Sequence, residues 1–120
     1  RWSNPDVMQS GAMAGAFFET YVISEIIKSF SNNGEEPPIY FYRDKDKYEI
    51  DLLIEQNNIL YPIEIKKTAT PSSDDAKNFF ITKRIKNIKI AQGIIICNCS
   101  QVLNVKNKDS SVLAIPVEYI

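Results

Sequence analysis

Three charged residues interrupt two apolar runs that an ordinary core would fill with Ile and Leu. Asp51 lies in the run at residues 50–54, and Glu64 and Lys66 lie in the run at residues 59–66. The polar residues 56–58 separate the runs, so this stretch predicts a strand, a turn and a strand. If the strands pair as a hairpin, the two carboxylates and the ammonium group converge at one end of a sheet.

Such a group of charges has a defined chemistry. Two neighbouring carboxylates repel each other and resist ionisation, and a divalent cation such as Mg²⁺ would offset that repulsion. An adjacent lysine can position a water molecule or stabilise a developing negative charge. The alternative is two solvated carboxylates and an ordinary Glu-x-Lys pair on a wet sheet face. Asp51 favours the first interpretation, because Ile50 and Leu52 on either side are apolar; strict alternation predicts both on the face opposite Asp51.

A helix precedes this hairpin and carries a further acid. Residues 11–30 have helical periodicity, with Glu19 near the middle of the apolar face. A carboxylate there is costly to bury unless it is paired or binds a metal ion, so we expect Glu19 to face Asp51 and Glu64. The alternative is a local hydrogen bond or a carboxylate that reaches water. The apolar face consists of Ala12, Ala16, Ile23, Ile26, Ile27 and Phe30.

The remaining elements predict an α/β fold. Ile39–Arg43 is a short aromatic strand, a helix capped at Ser72 or Ser73 runs to about Ile88, and residues 90–97 form a continuous buried strand. A polar connection at residues 98–111 leads to a last strand at residues 112–117. The order helix, three strands, helix, strand, strand predicts a mixed central sheet flanked by helices. Pro62 indicates a strand start, an edge or a bulge.

The most basic stretch lies at the end of the second predicted helix and includes Lys83, Arg84 and Lys86. Cations near a helix C-terminus are favoured by the helix dipole, which would explain them as a solvated surface. The alternative is that they contact phosphates beside the acidic residues.

Composition bounds the class of protein. The 120 residues suit one domain at residues 11–120 after a lead-in segment at residues 1–10, and 44% hydrophobic residues supply a core. The net charge of −1 gives no overall basic field, and the lack of histidine excludes mechanisms that need imidazole. We expect a cytoplasmic protein without a membrane span, with Cys97 and Cys99 as free thiols and with no P-loop for ATP. Because the chain begins with Arg, we expect a piece of a longer protein.

The acidic residues and the order of elements resemble the PD-(D/E)XK nuclease superfamily, which has the restriction-endonuclease-like fold. The matching residues are Glu19 in the first helix, Asp51 in Glu49-Ile50-Asp51, and Glu64-Ile65-Lys66. Together with Gly15-Ala16-Phe17-Phe18-Glu19 and Tyr40-Phe41-Tyr42-Arg43-Asp44, they are similar to the C-terminal domain of unknown function of prokaryotic AAA-type ATPases. No proline precedes Asp51, although one is common in the superfamily.

This resemblance implies a metal-dependent nuclease domain that hydrolyses phosphodiester bonds in DNA. Asp51, Glu64 and the backbone carbonyl of Ile65 would hold Mg²⁺ or Mn²⁺, Lys66 would orient the attacking water, and Glu19 would complete a metal shell. The other implied partners are an N-terminal ATPase module of the same protein and a second copy of the chain. Two alternatives stay open, a nuclease-fold module that binds nucleic acid or a protein without cleavage and a purely structural domain. The expected nucleic-acid contacts are Lys67, Lys83, Arg84 and Lys86.

Overall fold

A mixed β-sheet of seven strands forms the centre of the computed structural model, which describes residues 11–107 and 110–120. The predicted lead-in segment at residues 1–10 lies outside the described residues. In chain order the elements are the α-helix α1 (Gly11–Asn32), β1 (Ile39–Arg43), β2 (Glu49–Gln56), β3 (Ile59–Ile65), the 3₁₀-helix η1 (Ser73–Arg84), β4 (Lys89–Ile90), β5 (Ile94–Cys97), β6 (Leu103–Asn107), β7 (Ser110–Pro116) and the short 3₁₀-helix η2 (Val117–Tyr119).

The strand order across the sheet is β1-β2-β3-β5-β7-β6, and β4 pairs with the start of β3. The β1–β2, β2–β3 and β6–β7 pairs are antiparallel, whereas β3 pairs in parallel with β4 and β5, and β5 in parallel with β7. This architecture confirms the predicted α/β class with a mixed sheet and flanking helices. The predicted hairpin is present, with Leu52 opposite Ile63.

Two hydrophobic clusters lie on the two faces of the sheet. Neighbouring residues such as Leu52 and Leu53 belong to different clusters, as expected for side chains that alternate along a strand. We call them the α1-side cluster and the η1-side cluster. The buried members of the α1-side cluster are Val22, Ile26, Leu52, Ile63, Ile65 and Ile96. Those of the η1-side cluster are Ile50, Leu53, Leu60, Ala76, Phe79, Ile81, Ile95, Cys97, Cys99, Val105, Val112 and Ala114.

Helix α1 buries a face that is rotated from the one that the apolar pattern predicted. Val22 and Ile26 are buried, and Phe18, Ile23 and Phe30 pack against the α1-side cluster. Ala16 and Ile27, predicted to face the core, are exposed. Val22 and Phe18 were not part of the predicted face, so the helix packs on the sheet through a neighbouring strip of its surface.

The second predicted helix is a 3₁₀-helix and ends earlier than expected. At its start the backbone N–H of Ser72 donates to Asp75 Oδ2 at 2.9 Å, which is one half of a capping box. At its end Ile85 has an extended backbone, and Asn87 has a positive φ of 68°. The chain therefore leaves the helix at Arg84, and Ile85 and Ile88 pack against the η1-side cluster.

The predicted continuous strand at residues 90–97 is divided into β4 and β5. The break falls at Gly93, where a Cβ atom would lie 3.0 Å from the ring of Phe79. Because Phe79 on η1 is buried against the sheet, the backbone passes this point without a side chain. The apolar pattern indicated burial correctly but contained no sign of this contact.

The predicted polar connection at residues 98–111 contains a strand that the sequence analysis missed. Strand β6 pairs antiparallel with β7, with Val105 opposite Val112. Its residues alternate between apolar Leu103 and Val105 and polar Asn104, a pattern typical of a strand with one buried face. Because polar residues predominate in this stretch, its composition indicated a loop.

Pro62 lies in a central strand rather than at a strand start or an outer edge. The backbone N–H of Lys66 donates to the Ile96 carbonyl of β5. Because backbone N–H groups alternate along a strand, the nitrogen atoms of the even-numbered residues in β3 lie on this same side. Pro62 is thus placed where the partner of β3 changes from β4 to β5, and its missing N–H breaks no ladder bond.

The two cysteines are free thiols, as predicted, and both are buried. Their Sγ atoms lie 3.0 Å apart, and burial, followed by the hydrogen bond to Cys99, raises the pKa of Cys97 to about 12. In the described part of the chain, no helix is long and apolar enough to cross a membrane.

Candidate functional site

A β-bulge in β2 sets the position of Asp51. Tyr40 pairs with Leu53 and Tyr42 pairs with Ile50, so two residues, Asp51 and Leu52, lie opposite the single residue Phe41. An extra residue of this kind bends the strand and changes the face toward which the following side chains point.

The bulge corrects the predicted arrangement of side chains around Asp51. Strict alternation predicted Ile50 and Leu52 on one face, but Ile50 belongs to the η1-side cluster and Leu52 to the α1-side cluster. The bulge lies between them and shifts the alternation by one residue. Both neighbours of Asp51 are buried as predicted, although on different faces.

Asp51 and Glu64 face each other across the β2–β3 hairpin, as predicted. The backbone N–H of Ile65 donates to Asp51 Oδ2 at 2.8 Å, and the backbone N–H of Asp51 donates to Glu64 Oε2 at 3.4 Å. Each carboxylate thus accepts a hydrogen bond from the other strand. These bonds hold both acids at the end of the hairpin that lies away from its turn.

Glu64 is an ionisable residue inside the protein, with a relative exposure of 3%. Burial, followed by repulsion from Asp51, raises the pKa of Glu64 to about 8, and Lys66 opposes this shift in part. The Lys66 Nζ atom lies 3.9 Å from Glu64 Oε1, and the Lys66 side chain is 42% exposed. One lysine at this distance does not balance two carboxylates, so Glu64 retains a proton near neutral pH.

Glu19 on α1 lines the same pocket as Asp51, and its predicted position facing Glu64 stays a prediction. Its pKa is raised, first by partial burial and then by the charge of Asp51, while Lys66 has the opposite effect. The carboxylate is therefore within electrostatic range of both residues. The structure brings together Asp51, Glu64 and Lys66 and places Glu19 in a pocket wall with Asp51. The catalytic roles assigned to these residues stay predictions.

A pocket of about 260 Å³ opens beside these residues. Three of the residues in its wall were not singled out by the sequence analysis: Phe41, Arg43 and Glu49. The ion pair between Arg43 Nε and Glu49 Oε1, at 3.4 Å, forms one side of the pocket. The sequence feature that could have indicated Phe41 and Arg43 is their spacing in the predicted strand β1, since alternate residues of a strand share a face. The complete wall is formed by Glu19, Phe41, Tyr42, Arg43, Glu49, Ile50 and Asp51.

The donor set suits a hard cation held in part by solvent or substrate. Among the residues that the structure describes, no group of three or more His, Cys, Asp or Glu side chains is arranged to hold a metal ion. Mg²⁺ usually keeps several waters and binds one or two carboxylates together with substrate phosphates. Asp51 and Glu64 fit that requirement, because their oxygens converge and their repulsion is only partly neutralised. The Ile65 carbonyl as a further ligand stays a prediction.

Three of the predicted nucleic-acid contacts, Lys83, Arg84 and Lys86, lie at or just after the end of η1, whereas Lys67 follows β3. The Arg84 guanidinium binds the carboxylates of Asp44 and Asp46 in the β1–β2 turn, with Asp46 Oδ2 at 3.2 Å. It also lies over the rings of Tyr48 and Phe80, at 6.0 and 5.6 Å from their centroids. Arg84 therefore anchors η1 to the turn that follows Arg43. The side chains of Lys67, Lys83 and Lys86 are exposed, and their contact with nucleic acid stays a prediction.

Comparison with known proteins identifies the family of the chain. The sequence model of DUF4143, a domain of unknown function, matches residues 14–120. No curated protein matches the chain. The matched range includes all the site residues described above and every element of the sheet.

Proposed function

The chain belongs to the DUF4143 family, a domain of unknown function, and we propose that it is a metal-dependent nuclease domain acting on DNA. The observation that carries this proposal is the burial of Glu64 against Asp51, with a raised pKa that Lys66 does not offset. A fold gains little stability from two such acids, whereas a divalent cation would be attracted by them.

The PD-(D/E)XK assignment is part of this proposal. It is supported by the position of the acids on two adjacent antiparallel strands and by Glu19 on the helix that covers the same sheet. The Glu-x-Lys spacing also agrees with the structure. Glu64 lies at the end of β3, and Lys66 is the first residue after that strand. An attached AAA-type ATPase module and association with a second copy belong to the same proposal.

In the proposed mechanism, Asp51, Glu64 and the Ile65 carbonyl would hold Mg²⁺ or Mn²⁺, and Glu19 would complete this metal shell or a second one. When bound, the ion polarises the phosphodiester and lowers the pKa of a coordinated water. Glu64 must release its proton to become a ligand, so binding is favoured above neutral pH. Lys66 orients the attacking water and stabilises negative charge on the phosphate.

Cleavage of supercoiled plasmid and of single-stranded DNA tests this proposal. The parent chain is compared with Asp51→Asn and Lys66→Met in millimolar Mn²⁺ and in EDTA. We expect cleavage that needs the metal and disappears in both variants. Matched controls are Glu118→Gln and Lys45→Met, which remove exposed charges of the same type outside the pocket and should cleave like the parent.

Equal cleavage by the parent and all four variants would identify a contaminating nuclease. A folded parent that neither cleaves DNA nor binds Mn²⁺ by calorimetry would contradict the proposal. The second candidate, a nuclease-fold module that binds without cleavage, would then take its place. The reciprocal hydrogen bonds of Asp51 and Glu64 favour that candidate, because they give both carboxylates a structural role in the hairpin.

A further inference from the structure

Phe41 is an apolar residue held in water beside the acidic site. Its relative exposure is 69%, although it lies within β1 and lines the same pocket as Asp51 and Glu19. An exposed aromatic ring in a pocket wall presents a flat apolar face on which a ligand ring can stack. The neighbouring Tyr40 is also exposed, at 54%, but it does not line the pocket.

The β2 bulge holds the Phe41 backbone in this position. The pairs Tyr40–Leu53 and Tyr42–Ile50 lie on either side of Phe41, while Asp51 and Leu52 share the space opposite it. The paired residues on both sides fix the place of the Phe41 backbone in the ladder. The same distortion therefore sets the places of Phe41 and Asp51, and the distance between ring and carboxylate is not left to a flexible loop.

Arg43 adds a cation on the same face. It lies two residues beyond Phe41, and alternate residues of a strand share a face about 6.7 Å apart. Its side chain is 62% exposed and contacts Glu49 through Nε. The planar guanidinium group binds phosphate oxygens well, and the ion pair with Glu49 is made by Nε.

The pocket size limits what can enter between the ring and the acids. Its volume of about 260 Å³ lies just below the range of about 300–1,000 Å³ that is typical of pockets for drug-sized ligands. It therefore suits one base or one nucleotide. A base in a duplex is stacked and paired, so it reaches such a pocket only if it is flipped out or already unpaired. Aromatic rings beside cations are the usual platform for unpaired bases.

We propose that Phe41 stacks on an unpaired base and that Arg43 binds an adjacent phosphate, so that the substrate of this site is single-stranded nucleic acid. This inference rests on the proposed function for the identification of the ligand as a nucleic acid. It assigns the choice of substrate to β1, whereas the acids that would perform the cleavage lie on β2 and β3.

Fluorescence polarisation with a labelled oligothymidylate of about 8 nucleotides tests this assignment. Binding is measured in EDTA and in Ca²⁺, beside a duplex of the same length. We expect the parent to bind the single strand more tightly than the duplex. Phe41→Ala should weaken single-strand binding on the order of tenfold, the effect of one lost stacking contact, and should change duplex binding little. Phe41→Trp should keep the affinity of the parent.

Tyr40→Ala is the matched control, because it removes an exposed ring from the same strand outside the pocket. Equal affinities of the Phe41→Ala and Tyr40→Ala variants would overturn the inference, as would equal binding of duplex and single strand or no binding of either. Binding that depends on Phe41 without any cleavage would support it while contradicting the nuclease proposal. Cleavage combined with binding that does not depend on Phe41 would support the nuclease proposal and contradict this inference.

Discussion

At the scale of single residues, the site combines two acids that occupy different environments. Glu64 is buried and has a raised pKa, whereas Asp51 accepts a short hydrogen bond from the Ile65 backbone. A pair of this kind carries less than two full negative charges near neutral pH without a cation. Its titration and its hydrogen bonds can each be tested by a substitution that keeps the shape of the side chain.

The stability of the metal-free protein should fall as the pH rises from about 4.5 to about 8. The pKa of Glu64 is about 8 in the folded protein, whereas the ordinary pKa of a glutamate, 4.5, applies to the unfolded chain. Between these pH values the folded state therefore holds a proton that the unfolded chain releases. The stabilising effect is complete below 4.5 and lost as the pH passes 8.

Glu64→Gln should therefore flatten this dependence. At pH 8 in EDTA we expect the free energy of unfolding of this variant, measured with urea, to exceed that of the parent by at least about 1 kcal/mol. This is roughly the free energy that corresponds to a pKa shift of one unit. At pH 4.5 the two proteins should be similar. Glu118→Gln, an exposed substitution of the same type, should follow the parent at both pH values. A parent whose stability increases across this window would contradict the assigned pKa.

Asp51→Asn and Asp51→Ala should differ in stability in the absence of metal. The Asn side chain keeps an oxygen for the Ile65 N–H and removes the charge that repels Glu64. The Ala side chain also removes the charge but leaves that partly buried N–H without its acceptor, which costs about 1–3 kcal/mol. We expect Asp51→Asn to be the more stable by this amount in urea unfolding. Equal stabilities would show that solvent replaces the bond.

At the scale of elements, the site depends on distortions of regular structure. The bulge in β2 turns Asp51 toward Glu64 and Phe41 toward the pocket, and Pro62 lies where β3 changes partner. Gly93 is a third example, since it lets η1 pack directly on the sheet between β4 and β5. Such positions tolerate few residue types, which makes them useful probes of packing.

The substitutions Gly93→Ala and Gly15→Ala should have opposite effects on stability. At Gly93 the new methyl group would meet the ring of buried Phe79 at 3.0 Å, so we expect a loss of about 1–3 kcal/mol from overpacking. At Gly15, in α1, nothing lies within 4 Å, and the higher helix propensity of Ala should add up to about 1 kcal/mol. Urea unfolding of both variants measures the difference. A stable Gly93→Ala variant would show that η1 can move away from the sheet.

At the scale of the whole molecule, a net charge of −1 leaves nucleic-acid binding to local groups of cations. Arg43 lies beside the pocket, and the next residue, Asp44, is bound by Arg84 of η1. The pocket and the basic end of η1 therefore both lie beside the turn that joins β1 and β2. Under the proposed function, we expect a nucleic acid longer than the pocket to extend from Arg43 toward Lys83 and Lys86.

The salt dependence of binding should reveal this extended path. For single strands, the slope of log K against log salt is about −0.7 for each phosphate that is neutralised. We expect the double substitution Lys83→Ala and Lys86→Ala to reduce the slope by about 1.4 with an oligothymidylate of about 16 nucleotides. With one of about 4 nucleotides, the slope should not change. Unchanged slopes with both lengths would exclude these lysines from the binding surface.

The sequence by itself determined which residues could form the site and which elements carry them. Apolar runs around a polar turn predicted the β2–β3 hairpin, and the pairing of a hairpin is local, so Asp51 and Glu64 had to meet. Helical periodicity predicted that Glu19 faces the acids, and Glu19 lines the same pocket as Asp51. These predictions succeeded because each depends on contacts between residues that are close in the chain or on a strong repeating pattern.

Only the tertiary structure decided how deeply the acids are buried and what surrounds them. The burial of Glu64, the bulge opposite Phe41, the break at Gly93 and the strand β6 all depend on packing between distant segments. A bulge shifts alternation by one residue without changing the residue types, so no local pattern shows it. The pocket that joins Phe41 and Arg43 to the acids is a product of that shift.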